Sequence, residues 1–297
     1  MARRKRRGNK ASQIKTVAYG FGAFLIAGTA GYLALSNLGK AQPNAIGCLP
    51  DPRQAQTVVF LDASVGYDQS QTRDLRKIAE DIYWRALHSN ERLRLITTEE
   101  QQIASVVTPR VDFCRTASDP RDLERLGAAS ATPAYLAKEA QDAFENLYEP
   151  FFDEFLNPDA GPAHRQVRES PILEQIQSIS RLPGFGDGGG NRRLVVISDG
   201  IQNTPEAQFC HVRGALPAFD TFATRPYFER VRPHDLSGVK VTFYMAIQHG
   251  YGSGQLAYCT EDELRNFWLR YFEAAGAQSV EIVRLRRGVD WNSGGGL

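Results

Sequence analysis

The feature that most constrains this chain is an uncharged, apolar stretch near its amino terminus. Residues 17–38 read VAYGFGAFLIAGTAGYLALSNL and contain no charged residue and no proline. A helix of this length rises about 1.5 Å per residue, enough to cross the roughly 30 Å hydrocarbon core of a bilayer. The stretch therefore predicts one transmembrane helix at 17–38 and excludes a protein made only of water-soluble domains.

The distribution of charge predicts how this helix is oriented. Seven of the 35 basic residues precede the apolar stretch, so the rest of the chain carries 28 basic and 34 acidic residues, a net charge of −6. Cations flanking a membrane helix stay on the cytoplasmic side. We therefore expect a single-pass inner-membrane protein with a cytoplasmic amino terminus and a periplasmic or otherwise extracytoplasmic main domain. A short basic tail is not a folded basic surface, so nucleic acid is not an expected partner. The basic residues are Arg3, Arg4, Lys5, Arg6, Arg7, Lys10 and Lys15.

The amino-terminal segment leaves two alternatives open. Gly39-Lys40-Ala41 has the small-x-small form of a signal-peptide cleavage site, although the apolar stretch is longer than such peptides need. Residues 45–48, ending at Cys48, loosely resemble a lipoprotein signal. Within the stretch, Ala23, Ala27 and Gly31 recur every four residues, a pattern that also allows two such helices to pair in a homo-oligomer.

Beyond the apolar stretch, short strands alternate with amphipathic helices. The predicted organisation is a basic tail at 1–16, a linker at 39–54, one domain at 55–287 and a flexible tail at 288–297. The strand patterns are continuously apolar, which is typical of a mainly parallel α/β sheet with helices on both faces. Predicted strands cover 57–62, 93–97, 105–113, 193–199, 239–247 and 280–285, and predicted helices cover 72–88, 133–156, 172–179 and a segment from the N-cap Thr260 to Gly276.

Polar side chains that suit a hard cation follow two of the predicted strands. Asp62 and Ser64 come after the first strand, Asp199 ends the fourth, and Ser170 opens the helix that leads into it. Ligands of open α/β sheets bind beyond the carboxyl ends of the strands, and Mg²⁺ prefers carboxylates, hydroxyls and water. Each residue also has a simpler interpretation, since Asp62 or Ser170 could cap a helix and Asp199-Gly200 could form only a turn.

The order of these motifs resembles that of the von Willebrand factor A domain. That family carries a metal-ion-dependent adhesion site written Asp-x-Ser-x-Ser, then Thr, then Asp, on a doubly wound, Rossmann-like sheet. The resemblance assigns Asp62, Ser64, Ser170 and Asp199 to the metal site, with Mg²⁺, Mn²⁺ or Ca²⁺ as the cofactor. Gly66 replaces the second Ser of the first motif, and Asp68 two residues later either compensates or is a solvated loop residue.

Four cysteines suit an oxidising compartment and by themselves allow three pairings. The strand order of the family that the chain resembles implies Cys48–Cys114 at the end of the sheet away from the metal motif and Cys210–Cys259 at the motif end. The second pair would hold two long loops whose aromatic residues are either exposed near the metal or packed inward. These are Phe209, Phe219, Phe222, Tyr227, Phe228, Tyr251 and Tyr258.

The resemblance implies a protein-interaction module that binds a partner's acidic side chain on the metal. The sequence shows no general base near the two acids, no nucleophile with a partner His and no cofactor motif, so we do not expect an enzyme. Two alternatives stay open. One is a structural subunit of an envelope assembly that keeps the fold without the metal. The other is a metal-dependent phosphohydrolase of the haloacid dehalogenase type, which needs an acid at the position of Ser64.

Overall fold

The computed structural model of the chain describes residues 39–64, 66–98, 107–156, 169–186, 189–211, 216–247 and 259–286. The predicted basic tail, the apolar stretch 17–38 and the predicted tail 288–297 lie outside these residues. Across the part that is described, none of the helices combines the length and the apolar character that crossing a bilayer requires.

A single six-stranded sheet organises the domain. Its strands are β1 (Gln56–Leu61), β2 (Arg92–Thr97), β3 (Val111–Cys114), β4 (Arg192–Ser198), β5 (Val239–Ile247) and β6 (Ser279–Arg286). Their order across the sheet is β3-β2-β1-β4-β5-β6, with every neighbouring pair parallel except β2 and β3. This arrangement confirms the predicted mainly parallel α/β sheet.

Helices cover both faces of the sheet. Helices α1 and α3 each continue into one turn of π-helix, at Ile82–Ala86 and Phe144–Tyr148, and α4 follows the second π turn directly. The helices are α1 (Gln69–Asp81), α2 (Pro120–Arg125), α3 (Pro133–Ala143), α4 (Glu149–Leu156), α5 (Ile172–Ser180), α6 (Phe219–Phe222), α7 (Pro226–Val231) and α8 (Glu261–Ala274).

The sheet separates two hydrophobic layers because alternate residues of each strand point to opposite faces. Val59 and Leu61 of β1 pack with α1, α3 and α4, whereas Val58 and Phe60 pack with α5, α8 and the segment after β4. All six residues of β1 are buried, as expected for a central strand covered on both sides. The continuous apolar run that predicted this strand thus reflects two cores and not one.

Some predicted elements differ from the observed ones. The third strand was expected over 105–113, but β3 comprises only Val111–Cys114, and residues 105 and 106 lie outside the described part. Its central position is taken by charged Asp112, which pairs with Arg92. The short helices α2, α6 and α7 were not predicted, because helices of four to six residues carry too few turns for a periodic apolar pattern.

Both disulfides form as expected. Cys48–Cys114 fastens the segment before β1 to the end of β3, and Cys210–Cys259 joins the segment after β4 to the start of α8. Four aromatic residues of the segment after β4 are buried in the core, so for them the alternative of packing inward is correct and that of exposure near the metal motif is wrong. They are Phe209, Phe219, Phe222 and Phe228. Tyr227 packs against the same core, and Tyr251 and Tyr258 lie outside the described residues.

Candidate metal centre

Asp62 and Asp199 follow neighbouring parallel strands at the same edge of the sheet. Leu61, the last residue of β1, is paired with Ile197 near the end of β4, so the residues that follow leave the sheet side by side. The chain adds β2 and β3 on one side of β1 and then β4, β5 and β6 on the other side, so the connections leave β1 and β4 in opposite directions. In an open α/β sheet, the crevice at such a switch point is the usual place for a ligand.

The Asp62 carboxylate is fully buried and accepts hydrogen bonds from four hydroxyl groups. Its Oδ1 accepts from Ser64 Oγ at 2.6 Å and Thr98 Oγ1 at 3.2 Å, and also from the Ser64 amide at 3.0 Å. Its Oδ2 accepts from Ser170 Oγ and Ser198 Oγ, each at 2.7 Å. Asp62 is therefore not a helix cap. It is the centre of a cluster of residues that directly follow β1 and β2, end β4 or precede α5.

Ser170 reaches this cluster from a distant part of the chain. Its backbone pairs with Asn203, with N–H to O distances of 2.9 and 3.0 Å in the two directions. The N-cap of α5 is Pro171 and has no side-chain hydrogen bond, while the Ser170 hydroxyl donates to Asp62. The alternative of Ser170 as a plain helix cap is thus wrong, and its hydroxyl lies beside the Asp62 carboxylate.

Asp199 is the second carboxylate of the centre. Its Oδ1 accepts from the Ile201 amide at 2.8 Å, which forms a tight turn at Gly200. Gly200 has a φ of +77°, and its carbonyl accepts from the buried Trp268 Nε1 at 2.9 Å. Burial, and then the negative charge of Asp62, raise the pKa of Asp199 to about 8. Asp199 forms a turn, as one simpler interpretation held, and in addition shares a poorly solvated site with another acid.

Buried hydrogen bonds fix the two loops that carry Asp62 and Asp199. Gln202 is fully buried, and its side chain accepts from the Leu173 amide at 2.9 Å and donates to Glu174 Oε2 at 2.8 Å. The Tyr67 hydroxyl donates to the backbone carbonyl of Asp62 at 3.0 Å. Burial, followed by the charges of Asp62 and Asp199, raises the pKa of Tyr67 well above its ordinary value. The loops that carry the two acids are therefore fixed to α5 and β1 by buried hydrogen bonds.

Neither expectation for Asp68 is correct. Its side chain accepts from the Gln71 amide at 2.8 Å and caps α1, and the Asp68 amide donates to Gln71 Oε1 at 3.2 Å. It therefore neither compensates for Gly66 nor lies free in solvent. At Gly66 an added Cβ would meet no atom within 4 Å, so the backbone there has room for the missing Ser side chain.

Sequence reasoning missed three members of the cluster, namely Thr98, Ser198 and Tyr67. Ser198 lies directly before Asp199, and Thr98 directly follows β2, the neighbour of β1. Both lie at the carboxyl ends of strands that flank the proposed site, and that position was a usable signal. Tyr67 had no such signal, because its contact depends on how the loop after Asp62 folds back.

The oxygen-only character of the cluster suits a hard cation. In the described part of the chain, no salt bridge includes Asp62 or Asp199, and no group of three or more His, Cys, Asp or Glu side chains converges on one point. Two carboxylates with serine and threonine hydroxyls match the preference of Mg²⁺, which keeps several waters and uses one or two protein carboxylates. The donor set therefore fits a divalent cation of this type and does not fit zinc.

The strand order, the antiparallel edge strand β3 and the site at the carboxyl edge together fit a von Willebrand factor A-like α/β fold. Several solved structures are similar to this chain. An aerotolerance-related membrane protein from Bacteroides fragilis matches at 13% identity and a TM-score of 0.33, and the match covers 78% of this chain and 92% of that one. BatB from Bacteroides thetaiotaomicron matches at 15% identity and a TM-score of 0.32, covering 78% and 90%. The human COPII-coat protein Sec24c matches at 8% identity and a TM-score of 0.35, covering 80% and 30%.

Comparisons by sequence found no relative. No model of a protein family matches the chain, and no curated protein matches it. The assignment of the fold thus depends on the observed sheet topology and the position of the site.

Proposed function

We propose that this chain is a membrane-anchored, exported interaction module that binds a partner protein through a divalent cation held at Asp62 and Asp199. The observation that carries the proposal is the convergence of two carboxylates and several hydroxyls with no salt bridge to either acid among the described residues. The raised pKa of Asp199 supports it, because a nearby positive charge would relieve the repulsion between the two acids.

Asp62, Ser64, Ser170 and Asp199 would hold the cation, with Mg²⁺ as the first candidate and Mn²⁺ or Ca²⁺ as alternatives. The cation would supply an open coordination position that accepts a carboxylate of the partner. The protein's own part is to keep both acids in fixed loops, to orient the hydroxyls through Asp62, and to leave space beside Gly66. Since Gly66 offers no hydroxyl, the protein would supply one ligand fewer than a second Ser would give, and the affinity for the cation should be modest.

The proposed location follows from the sequence. Residues 17–38 would anchor the chain in the inner membrane with the basic tail in the cytoplasm, and the domain would lie in the periplasm. The two disulfides support this location, because such bonds persist in oxidising compartments. We further propose a binding role without catalysis, since the position of Ser64 lacks the acid that a phosphohydrolase of the type considered requires.

A metal-free structural subunit is the second candidate, and one observation favours it. Hydroxyl groups and an amide already satisfy both oxygens of Asp62, so this residue is stable without a cation. The two candidates differ in one respect. A structural subunit would bind its partners in the presence of a chelator, whereas a metal-dependent module would release them.

Capture of partners from membranes tests the proposal. The full chain would be purified from detergent-solubilised membranes with Mg²⁺ or with EDTA, and bound proteins identified by mass spectrometry. We expect a partner that is bound with Mg²⁺ and lost with EDTA and in Asp199→Asn. Asp220→Asn makes the same change at an exposed site and should keep the partner. Asp199→Asn is preferable to Asp62→Ala, which would leave four hydroxyls without their acceptor. Capture of the same partners under all conditions would contradict a metal-dependent site.

A further inference from the structure

The segment that follows the proposed membrane helix is fixed to the edge of the sheet opposite the metal centre. The Ala41 amide donates to the Gly127 carbonyl at 2.8 Å, and Ala41 forms a bridge with Ala128. Seven residues later, Cys48 is bonded to Cys114. Cys114 pairs with the first residue of β2, so this attachment lies at the amino ends of the central strands. The domain therefore has a defined face at which the chain enters it.

That face carries an unusually uncharged surface, which we call the lower patch and define as residues 41–50 and 126–137. Neither segment contains a charged residue, although 23% of the chain is charged. The Tyr135 side chain is 55% exposed, and most residues from Gly127 to Ala134 are also exposed. A groove of about 400 Å³ runs between the two segments, and Arg115 and Glu139 are its only charged lining residues.

The length of chain before Ala41 limits how far the lower patch can lie from a bilayer. Two residues, Gly39 and Lys40, separate Leu38, the last of the apolar stretch, from Ala41, and the three steps between their Cα atoms span at most about 11 Å when fully extended. A helix that ends at Leu38 therefore holds the patch within the headgroup layer or directly above it. The six residues of β1 rise about 20 Å from this edge, so Asp62 lies on the far side of the domain.

We propose that the lower patch rests on the lipid headgroups of the membrane that anchors the chain, and that this contact directs the metal centre away from the bilayer. Small apolar side chains and an exposed tyrosine match the interface, where tyrosine rings are enriched because one end is apolar and the other polar. An uncharged surface can contact the headgroups without charge repulsion and without the desolvation of charged side chains. The inference depends on the membrane anchor of the proposed function, but not on metal binding.

Quenching by labelled lipid tests this orientation. The full chain would be placed in phosphatidylcholine nanodiscs with and without a lipid carrying a nitroxide on its headgroup. A small fluorophore would be attached through a noncanonical amino acid at Ser130 in the patch, or at the exposed Gln69 near the metal centre as the control. We expect strong loss of fluorescence at Ser130 and little at Gln69. Ala129→Glu combined with Tyr135→Glu should reduce the loss at Ser130, because two carboxylates oppose contact with the interface.

The design separates the possible failures. If the chain integrates into the discs but both positions are quenched alike, or Ser130 is not quenched, the anchor stands and the orientation is refuted. If the chain does not enter the discs, the anchor and the orientation both fail. If Ser130 is unquenched and the chain forms dimers in detergent that the double variant dissolves, the occupant of the patch is a second copy and not lipid. Both substitutions are at exposed positions, and Tyr135→Glu places its carboxylate in the first turn of α3, where acids are favourable.

Discussion

Replacing Asp199 by asparagine should stabilise the domain without metal and abolish its response to metal. Asp199 has a pKa of about 8 in the folded chain against an ordinary value of 3.8, because it is buried beside Asp62. A carboxyl with that pKa is mostly protonated in the folded chain at pH 7 but ionised in the unfolded chain, so the shift costs at most about 4 kcal/mol of the free energy of unfolding. The side chain keeps partial contact with solvent, so we expect a gain of roughly 1–2 kcal/mol for Asp199→Asn.

The pH dependence gives this prediction its sign. A carboxyl whose folded pKa is raised binds its proton more tightly in the folded state, so the folded state is favoured at low pH. That contribution is lost as the pH rises from about 4 to about 8. We would therefore compare the free energy of unfolding of the variant and the natural chain in EDTA. Their difference should be near zero below about pH 4 and grow until about pH 8. The control Asp220→Asn should show no such growth.

Thermal unfolding of the full chain in mild detergent measures both effects. Trp268 donates to the Gly200 carbonyl and reports on the loop next to Asp199. A cation present at about 100 times its dissociation constant adds about 2.7 kcal/mol to the stability of a chain that binds it, or roughly 5–10 °C in Tm for a domain of this size. The natural chain should show this shift with Mg²⁺ and Asp199→Asn should not. A variant that is less stable than the natural chain at pH 8 in EDTA would refute the electrostatic reasoning.

Three further predictions concern single features of the fold. Gly66→Ser should tighten Mg²⁺ binding by up to about tenfold, or about 1.4 kcal/mol, in calorimetric titration. The new side chain would bring a hydroxyl to the site, and its Cβ would meet no neighbour. Unchanged affinity would exclude this position from the coordination shell. Gly200→Ala should lower the free energy of unfolding by about 1–3 kcal/mol and change the fluorescence of Trp268. The φ of Gly200 is +77°, and the new Cβ would lie 2.8 Å from Trp268 Nε1. An unchanged free energy of unfolding in urea denaturation would contradict this contact. Replacing both cysteines of either disulfide by serine should lower the free energy of unfolding by about 4 kcal/mol in urea denaturation, because the bonds close loops of 66 and 49 residues. A loss under about 1 kcal/mol would mean that the unfolded chain is already compact without the disulfide.

The sequence was most informative where burial and position along a strand coincide. The runs that form β1, β4 and β5 are evident in the sequence because their residues are largely apolar, and Asp62 and Asp199 directly follow two of them. The binding of a cation by these two acids stays a prediction. The capping box of α8 at Thr260 and Glu263 was equally clear, since both partners lie within one turn. These features depend on short stretches of chain and can be predicted from them.

Features that depend on contacts between distant segments could not be predicted. The aromatic residues of the loop after β4 carry no local sign of burial, and only the packing of Phe209 and Phe222 against Phe267 of α8 shows that they belong to the core. The roles of Asp68 and Tyr67 were also hidden, because one depends on where α1 begins and the other on how a loop returns to β1. The ion pair of Asp112 in β3 with Arg92 of β2 was likewise not evident in the sequence.

The pairing of the cysteines has a consequence for how the domain matures. Each disulfide joins cysteines that are consecutive in the chain, Cys48 with Cys114 and Cys210 with Cys259. A chain that emerges from its amino-terminal side into an oxidising compartment thus presents each first cysteine with its correct partner as the next thiol to appear. Oxidation in order of emergence gives the final connectivity, so no exchange between wrongly paired thiols is needed. With the export that we propose, each bond can close as soon as its second cysteine emerges, Cys48–Cys114 first and Cys210–Cys259 second.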